Sequence, residues 1–319
     1  ATQGVTAIHK RRTLWQWLKG YTGQKYMTTA LFLAIPVALL ILFTIIPAVN
    51  MIIFSFQQRD QLGVNVQWVG FDNYKTLFTD MAYLSTLINS LYYFVGSFIQ
   101  LGLALFIATL LCSKIKLAGL FKGVIFFPYL MNGVAVALIF QRFFRGDDGG
   151  TLNSIIALFG ADPVKWLSNG AINNWCLVFA SVWRYIGFDI LMFIGAIQSI
   201  SPDIYEAADL DGANAWQTLW KVTIPNVMPS ITICTFLTLT NSFKLFDQNL
   251  ALTAGRPFIQ NAGETVKTTE MLALNIYSSF YASTTNRGVG QAKAVIFFVL
   301  VAAISILQLS SSRKKEVQQ

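Results

Sequence analysis

Runs of 18 or more mostly apolar residues recur along the whole chain. Each is long enough to cross the hydrocarbon core of a bilayer as a helix. Inside lipid every backbone N–H and C=O must find a partner within its own segment, so such runs must be helical. The 319 residues are 55% hydrophobic and only 12% charged, which excludes a soluble globule. The expected fold class is therefore all-α and polytopic. Six spans are expected, at about 27–54, 83–112, 120–140, 175–198, 222–246 and 289–309. Pro36 and Pro47 should kink the first, while Pro225 and Pro229 mark the bend into the fifth.

Charge orients these spans. Residues 1–26 are basic and polar, with His9, Lys10, Arg11, Arg12, Lys19 and Lys25 set among Trp15, Trp17, Leu18 and Tyr21. That pattern predicts a retained, cytoplasmic, interfacial amphipathic segment. Residues 27–309 then form the membrane domain and 310–319 a cytoplasmic tail ending in Arg313, Lys314 and Lys315. Twelve of the 23 Lys and Arg residues fall on the tails and on short loops placed inside, and eight are spread over longer loops placed outside. Six spans with both termini cytoplasmic satisfy that bias. The loop over 142–174 carries turn signals at 146–150 and 162–163, with a short interfacial helix expected at 152–159.

Several chemistries lack their residues. Cys112, Cys176 and Cys234 show neither metal spacing nor a disulfide framework. His9 is the single histidine, so haem and zinc centres lack ligands. No P-loop sequence occurs, so this chain does not bind ATP through one; if ATP drives transport, another subunit supplies it. No nucleic-acid motif is present, and the net charge of +8 concerns membrane topology and anionic lipid instead. No His, Asp or Glu cluster at membrane depth supports an embedded enzyme. A stand-alone carrier should show inverted repeats, and no clear one is present.

One polar stretch interrupts this apolar chain. Residues 201–229 carry Asp203, Glu206, Asp209 and Asp211 between two spans. Ser201 is a candidate helix cap and Pro202 suits a first turn. The first three carboxylates recur every three residues and share roughly one face. Ala207 and Ala208 allow close approach of another surface, and Asp211-Gly212 signals a turn. Trp216, Leu219, Trp220 and Val222 give a second amphipathic piece. The stretch reads either as a solvated connector or as a handle gripped by a basic partner on the cytoplasmic side.

Polar residues within the spans form a second candidate site. Ser181, Trp183, Arg184, Tyr185 and Phe188 cluster in the fourth span, and Thr238, Asn241, Ser242, Lys244 and Leu245 in the fifth. Hydroxyl and amide groups beside flat rings suit a sugar path. Helix packing is the competing explanation for each position. Arg184 and Asp189 would be a structural ion pair on that account, although five residues is imperfect spacing along one helix. Arg184 and Lys244 also leave open an acidic solute, such as a uronate oligosaccharide or a glycerophosphate.

Glu206-Ala207-Ala208, Gly212 and Ile224-Pro225 match the EAA signature of bacterial ABC importer permeases. Val69 to Tyr74, Phe127-Pro128-Tyr129, Gln198-Ser199-Ile200, Ser242 to Asp247 and Leu252 to Pro257 also resemble the carbohydrate branch, the maltose and multiple-sugar permeases. The resemblance implies a six-span type I importer permease of the bacterial inner membrane. It implies a coupling helix at about 201–221 that docks into an ATPase cleft. There Glu206, Ala207, Ala208, Asp209, Asp211, Gly212 and Pro225 would form the contact and its turns. It further implies a second homologous permease chain, two ATP-binding subunits holding ATP and Mg, and an extracytoplasmic solute-binding protein. A carbohydrate, most simply an oligosaccharide, would be the solute. No catalytic residue, metal or cofactor is expected on this chain.

Overall fold

The structure is a computed structural model that describes residues 20–60, 63, 65–112, 117–261, 263–281 and 287–313. The basic segment up to residue 19, Lys114 and Lys116 of the first inside loop, and Lys314 and Lys315 lie outside the described residues. The chain divides into two compact units, Ala1–Phe54 and Ser55–Gln319.

The described residues of the first unit form one long apolar helix: α1 (Tyr21–Leu40), a five-residue π-helical turn (Ile41–Ile45) and α2 (Ile46–Ser55), whose last residue opens the second unit. Pro36 sits inside α1 without breaking it. Pro47 lacks an N–H, and its ring crowds the carbonyl four residues back. The helix answers by widening: the Ile46 N–H reaches back to Ile41 O. The same device recurs before Pro225, where the Ile224 N–H bonds to Leu219 O.

The second unit begins with a hairpin, β1 (Gln57–Arg59) and β2 (Val66–Trp68), followed by α3 (Asp72–Thr79) and the long α4 (Met81–Cys112). The segment expected as a single third span is two helices, α5 (Ala118–Leu130) and α6 (Gly133–Phe143), bent by 100°. Met131 is extended, and Asn132 restarts the helix by accepting the Val134 N–H at 2.8 Å. After α7 (Thr151–Ala157) comes the unbroken 26-residue α8 (Asn173–Gln198). Then follow α9 (Pro202–Leu210), α10 (Ala215–Thr218), a π-helical turn (Leu219–Thr223) and α11 (Ile224–Asn226). The segment expected as the fifth span is also broken: α12 (Met228–Lys244) follows α11 after a 73° bend at Val227, between Pro225 and Pro229 as expected.

The expected loop over 247–288 is structured. It holds α13 (Asp247–Leu252), a hairpin of β3 (Phe258–Asn261) with β4 (Glu264–Lys267), and α14 (Leu272–Tyr281), before the final α15 (Arg287–Arg313). Buried side-chain amides tie it to the bundle. Asn89 donates to Glu270 O at 3.0 Å and Asn174 to Thr268 O at 3.0 Å, and within the segment Asn249 donates to Thr269 O at 2.8 Å. These amides satisfy backbone carbonyls that would otherwise be buried without partners.

The core of this unit lies between α4 and α8. Leu101, Ala104, Ala108 and Leu111 of α4 meet Ile190, Phe193, Ile194 and Ile197 of α8, with Val227 and Cys234 from the α12 side. Small residues set how closely helices approach. A Cβ at Gly187 of α8 would collide with the backbone of Ile125 and Phe126 in α5, and one at Gly96 of α4 would meet Val178 Cγ1. Gly187→Leu is therefore expected to lower the thermal midpoint of the detergent-solubilised protein, because overpacking costs about 1–3 kcal/mol. Gly195→Ala, whose added methyl meets nothing within 4 Å, should leave the midpoint unchanged. Equal shifts for the two variants would contradict the close contact of α5 with α8.

Candidate functional site

A cavity of about 200 Å³ lies between α4, α5, α8 and α12. Helical periodicity builds each wall. Tyr93, Ser97 and Gln100 follow one face of α4, Ser181, Tyr185 and Phe188 one face of α8, and Thr238, Asn241, Ser242 and Leu245 the end of α12. Tyr129 of α5 closes the ring by stacking on Phe188, with centroids 5.1 Å apart and planes at 24°. Hydroxyl and amide groups thus alternate with flat apolar faces, the pairing that suits a polyhydroxylated solute.

Asp189 and its partners pin three helices together at this wall. Gln100 Nε2 of α4 donates to Asp189 Oδ2 at 2.6 Å. Thr238 Oγ1 of α12 donates to both carboxylate oxygens, at 3.2 and 3.3 Å. Nearby, Gln248 Nε2 of α13 donates to Ser181 Oγ at 3.1 Å. Arg184 does not pair with Asp189. Five residues place the two on different faces of α8, and Arg184 turns instead to Asp247 at 3.6 Å, its guanidinium 4.8 Å from the Tyr185 ring centre. Gly133, the first residue of α6, lies against that pair, where a Cβ would overlap Asp247.

Seven of the ten residues singled out in the fourth and fifth spans line the cavity: Ser181, Tyr185, Phe188, Thr238, Asn241, Ser242 and Leu245. Trp183, Arg184 and Lys244 do not. Two residues beyond Ser181 is about 200° of helical rotation, so Trp183 faces away and packs edge-on against Phe140 at 5.4 Å. Lys244 ends α12 with an exposed side chain. Sequence reasoning missed Tyr93, Ser97 and Gln100, and it left Tyr129 and Asp189 outside the path. Polar residues three to four apart within the apolar run of α4 were the available signal.

The acidic stretch forms the second site. Pro202 opens α9 as expected, but the Ser201 side chain makes no capping bond. Ala208 is buried against the body of the unit, whereas Glu206, Ala207, Asp209 and Asp211 are exposed. Among the described residues none of the four carboxylates Asp203, Glu206, Asp209 and Asp211 enters an ion pair. The helix ends in a Schellman motif. Gly212, at φ +76°, donates to Asp209 O at 3.1 Å, and Ala213 to Ala208 O at 3.0 Å. Asn214 and Gln217 then exchange capping bonds to start α10, and Trp216 and Trp220 pack edge-to-face at 5.7 Å. Tyr205 Oη and Thr223 Oγ1, 3.3 Å apart, tie α9 to the turn before Pro225. The handle is thus rigid, small-faced in its middle and negatively charged outward.

The model of the family described as binding-protein-dependent transport system inner membrane component matches residues 100–317. A probable starch degradation products transport system permease protein of Thermoanaerobacterium thermosulfurigenes is 35% identical over 292 residues, covering 90% of this chain and 94% of that protein. A multiple sugar-binding transport system permease protein of Streptococcus mutans is 32% identical, covering 90% and 95%. Among solved structures, a chain of a bacterial ABC transporter that imports the acidic polysaccharide alginate superposes with a TM-score of 0.77. It is 21% identical and covers 94% of this chain and 98% of its own. That likeness shows the fold, the type I importer permease architecture.

Gly212→Val is expected to loosen the end of α9, since a left-handed conformation costs a residue with a Cβ about 1–2 kcal/mol. Hydrogen exchange at the amides of residues 212 and 213 should speed up roughly tenfold, a change of about that energy. Exposed Asp211→Ala should leave those amides slow. Unchanged exchange in the glycine variant would mean that the turn does not need φ above zero.

Proposed function

The chain belongs to the binding-protein-dependent transport system inner membrane components, and we propose that it is the carbohydrate-conducting permease half of an ATP-driven importer. Sugar-transport permeases at 35% and 32% identity over nine-tenths of the chain support a carbohydrate. The observation that carries the proposal is the joining of the two sites within one bundle. The cavity wall of α8 runs on, three residues after its end, into the outward-facing acidic α9.

The mechanism follows from that connection. A second homologous permease chain completes the path, and two ATP-binding subunits sit beneath it with ATP and Mg. A binding protein on the opposite side delivers an oligosaccharide. Both termini lie in the cytoplasm, on the side of α9. Glu206 and its neighbouring carboxylates meet cationic or N–H donors of an ATPase cleft. Ala207 lets the two backbones approach, and the Gly212 turn fixes the angle of entry. Closure of the ATPases on ATP pushes this handle and rocks the spans between inward- and outward-open states. This chain holds no nucleotide itself.

Glu206→Lys is expected to leave the protein in the membrane and to lose the ATPase subunits on purification, with saccharide uptake down at least tenfold. Retained ATPase and uptake would sink the assignment, and so would solute movement by this polypeptide alone, as a self-contained carrier. Phe188→Ala removes one face of the stacked aromatic pair. It should raise the saccharide concentration for half-maximal uptake about 5- to 30-fold, equivalent to about 1–2 kcal/mol, with the ATPases still bound. An unchanged half-saturation would remove that ring from the solute path.

A further inference from the structure

Building on the carbohydrate path proposed above, we infer that Asp189 sets the charge of the solute: neutral saccharides are admitted and carboxylated ones are turned away. Among the described residues, Asp189 is the one charged side chain that lines the cavity. It is 1% exposed and held only by neutral donors, the Gln100 amide at 2.6 Å and the Thr238 hydroxyl at 3.2 and 3.3 Å. Among the described residues it enters no ion pair.

The neighbouring cations are engaged or turned elsewhere. Arg184 faces Asp247 at 3.6 Å and lies off the lining, and Lys244 is exposed and also off the lining. The cavity therefore presents an acceptor-rich, negative wall. Each carboxylate oxygen has two lone pairs, so Asp189 keeps acceptor capacity for a solute hydroxyl after its bonds to Gln100 and Thr238. A uronate carboxylate brought into the same cavity would meet a like charge where water screens little. An uncompensated buried charge of this kind is a means of rejecting the wrong partner. The acidic polysaccharide named for the solved transporter of the same fold is, on this chemistry, not a solute for this chain.

The test uses the assembled complex, with both permeases and both ATPases, in lipid nanodiscs without binding protein, so that the binding protein's own selection does not enter. Saturation-transfer NMR compares a neutral glucose oligosaccharide with a uronate oligosaccharide of the same length, each at millimolar concentration. In the wild type the neutral probe should take up saturation at least tenfold more strongly. Asp189→Asn keeps the shape and can still bond Gln100 and Thr238; it should bring the uronate to within about threefold of the neutral probe. Asp189→Ser removes the same charge in a smaller volume and should shift the ratio the same way; co-purification of the ATPases reports whether each variant assembles. A merely structural Asp189 would leave the ratio of the two probes unchanged in both variants, and that outcome overturns the proposal. Equal binding of both probes to the wild type overturns it even if neither variant assembles. Failure of the wild type to bind either probe would instead overturn the carbohydrate path on which the proposal rests.

Discussion

The architecture depends on the contact between α4 and α8 and on the polar junction buried beside it. Lipid tails are as apolar as leucine, so burial of apolar surface does little to hold membrane helices together. Close packing and interhelical hydrogen bonds take over that role. Here the packing comes from Ala104, Ala108, Gly96 and Gly187, and the hydrogen bonds come from Gln100, Asp189 and Thr238. An unpaired Gln, Asp or Thr at that depth would be costly, so the three groups specify which helices meet and in what register. The cavity is the space left beside that junction, where three helices are fixed to one another and a fourth, α5, arrives through Gly187.

Charge is handled in the same way elsewhere in the second unit. Lys293 of α15 donates to Ser279 at 2.9 Å and lies 3.8 Å from Asp80. Glu270 is buried and accepts from Lys267, Asn275 and Ser278 at 2.7 to 3.1 Å. These groups order the segment between α13 and α15. The carboxylates of α9 are the opposite case, because they make no ion pair among the described residues. Charges that point outward into solvent contribute little to the stability of the bundle itself, which is consistent with a contact outside the chain.

Much of this was legible in the residues. Hydropathy alone locates the spans, because their length is set by the bilayer. The pattern from Glu206 to Gly212 gives the handle and its turn, since only glycine takes φ +76° without strain. The break at Met131 and Asn132 was harder to see. Apolar residues continue across it, and only Pro128 and the Asn132-Gly133 pair hint at a restart. Trp183 and Arg184 were placed on the path by neighbourhood in sequence, whereas helical phase turned one to Phe140 and the other to Asp247. The α4 wall was overlooked because its partners lie on helices far apart in sequence, although its own polar residues, Tyr93, Ser97 and Gln100, recur three to four apart. Lys293, at the start of a strongly apolar helix, was missed for the same reason.

The continuity of α8 has a mechanical consequence. At 1.5 Å per residue its 26 residues form a strut about 39 Å long. One end is tethered at Asn173, which donates to Thr268 at 2.9 Å, and the other ends beside α9. A stiff rod tilted by about 10° carries its tip sideways by about 7 Å, and its midpoint by about half that distance. Ser181, Tyr185 and Phe188 stand near that midpoint, so a small displacement at the acidic end becomes a change of bore where the solute would pass.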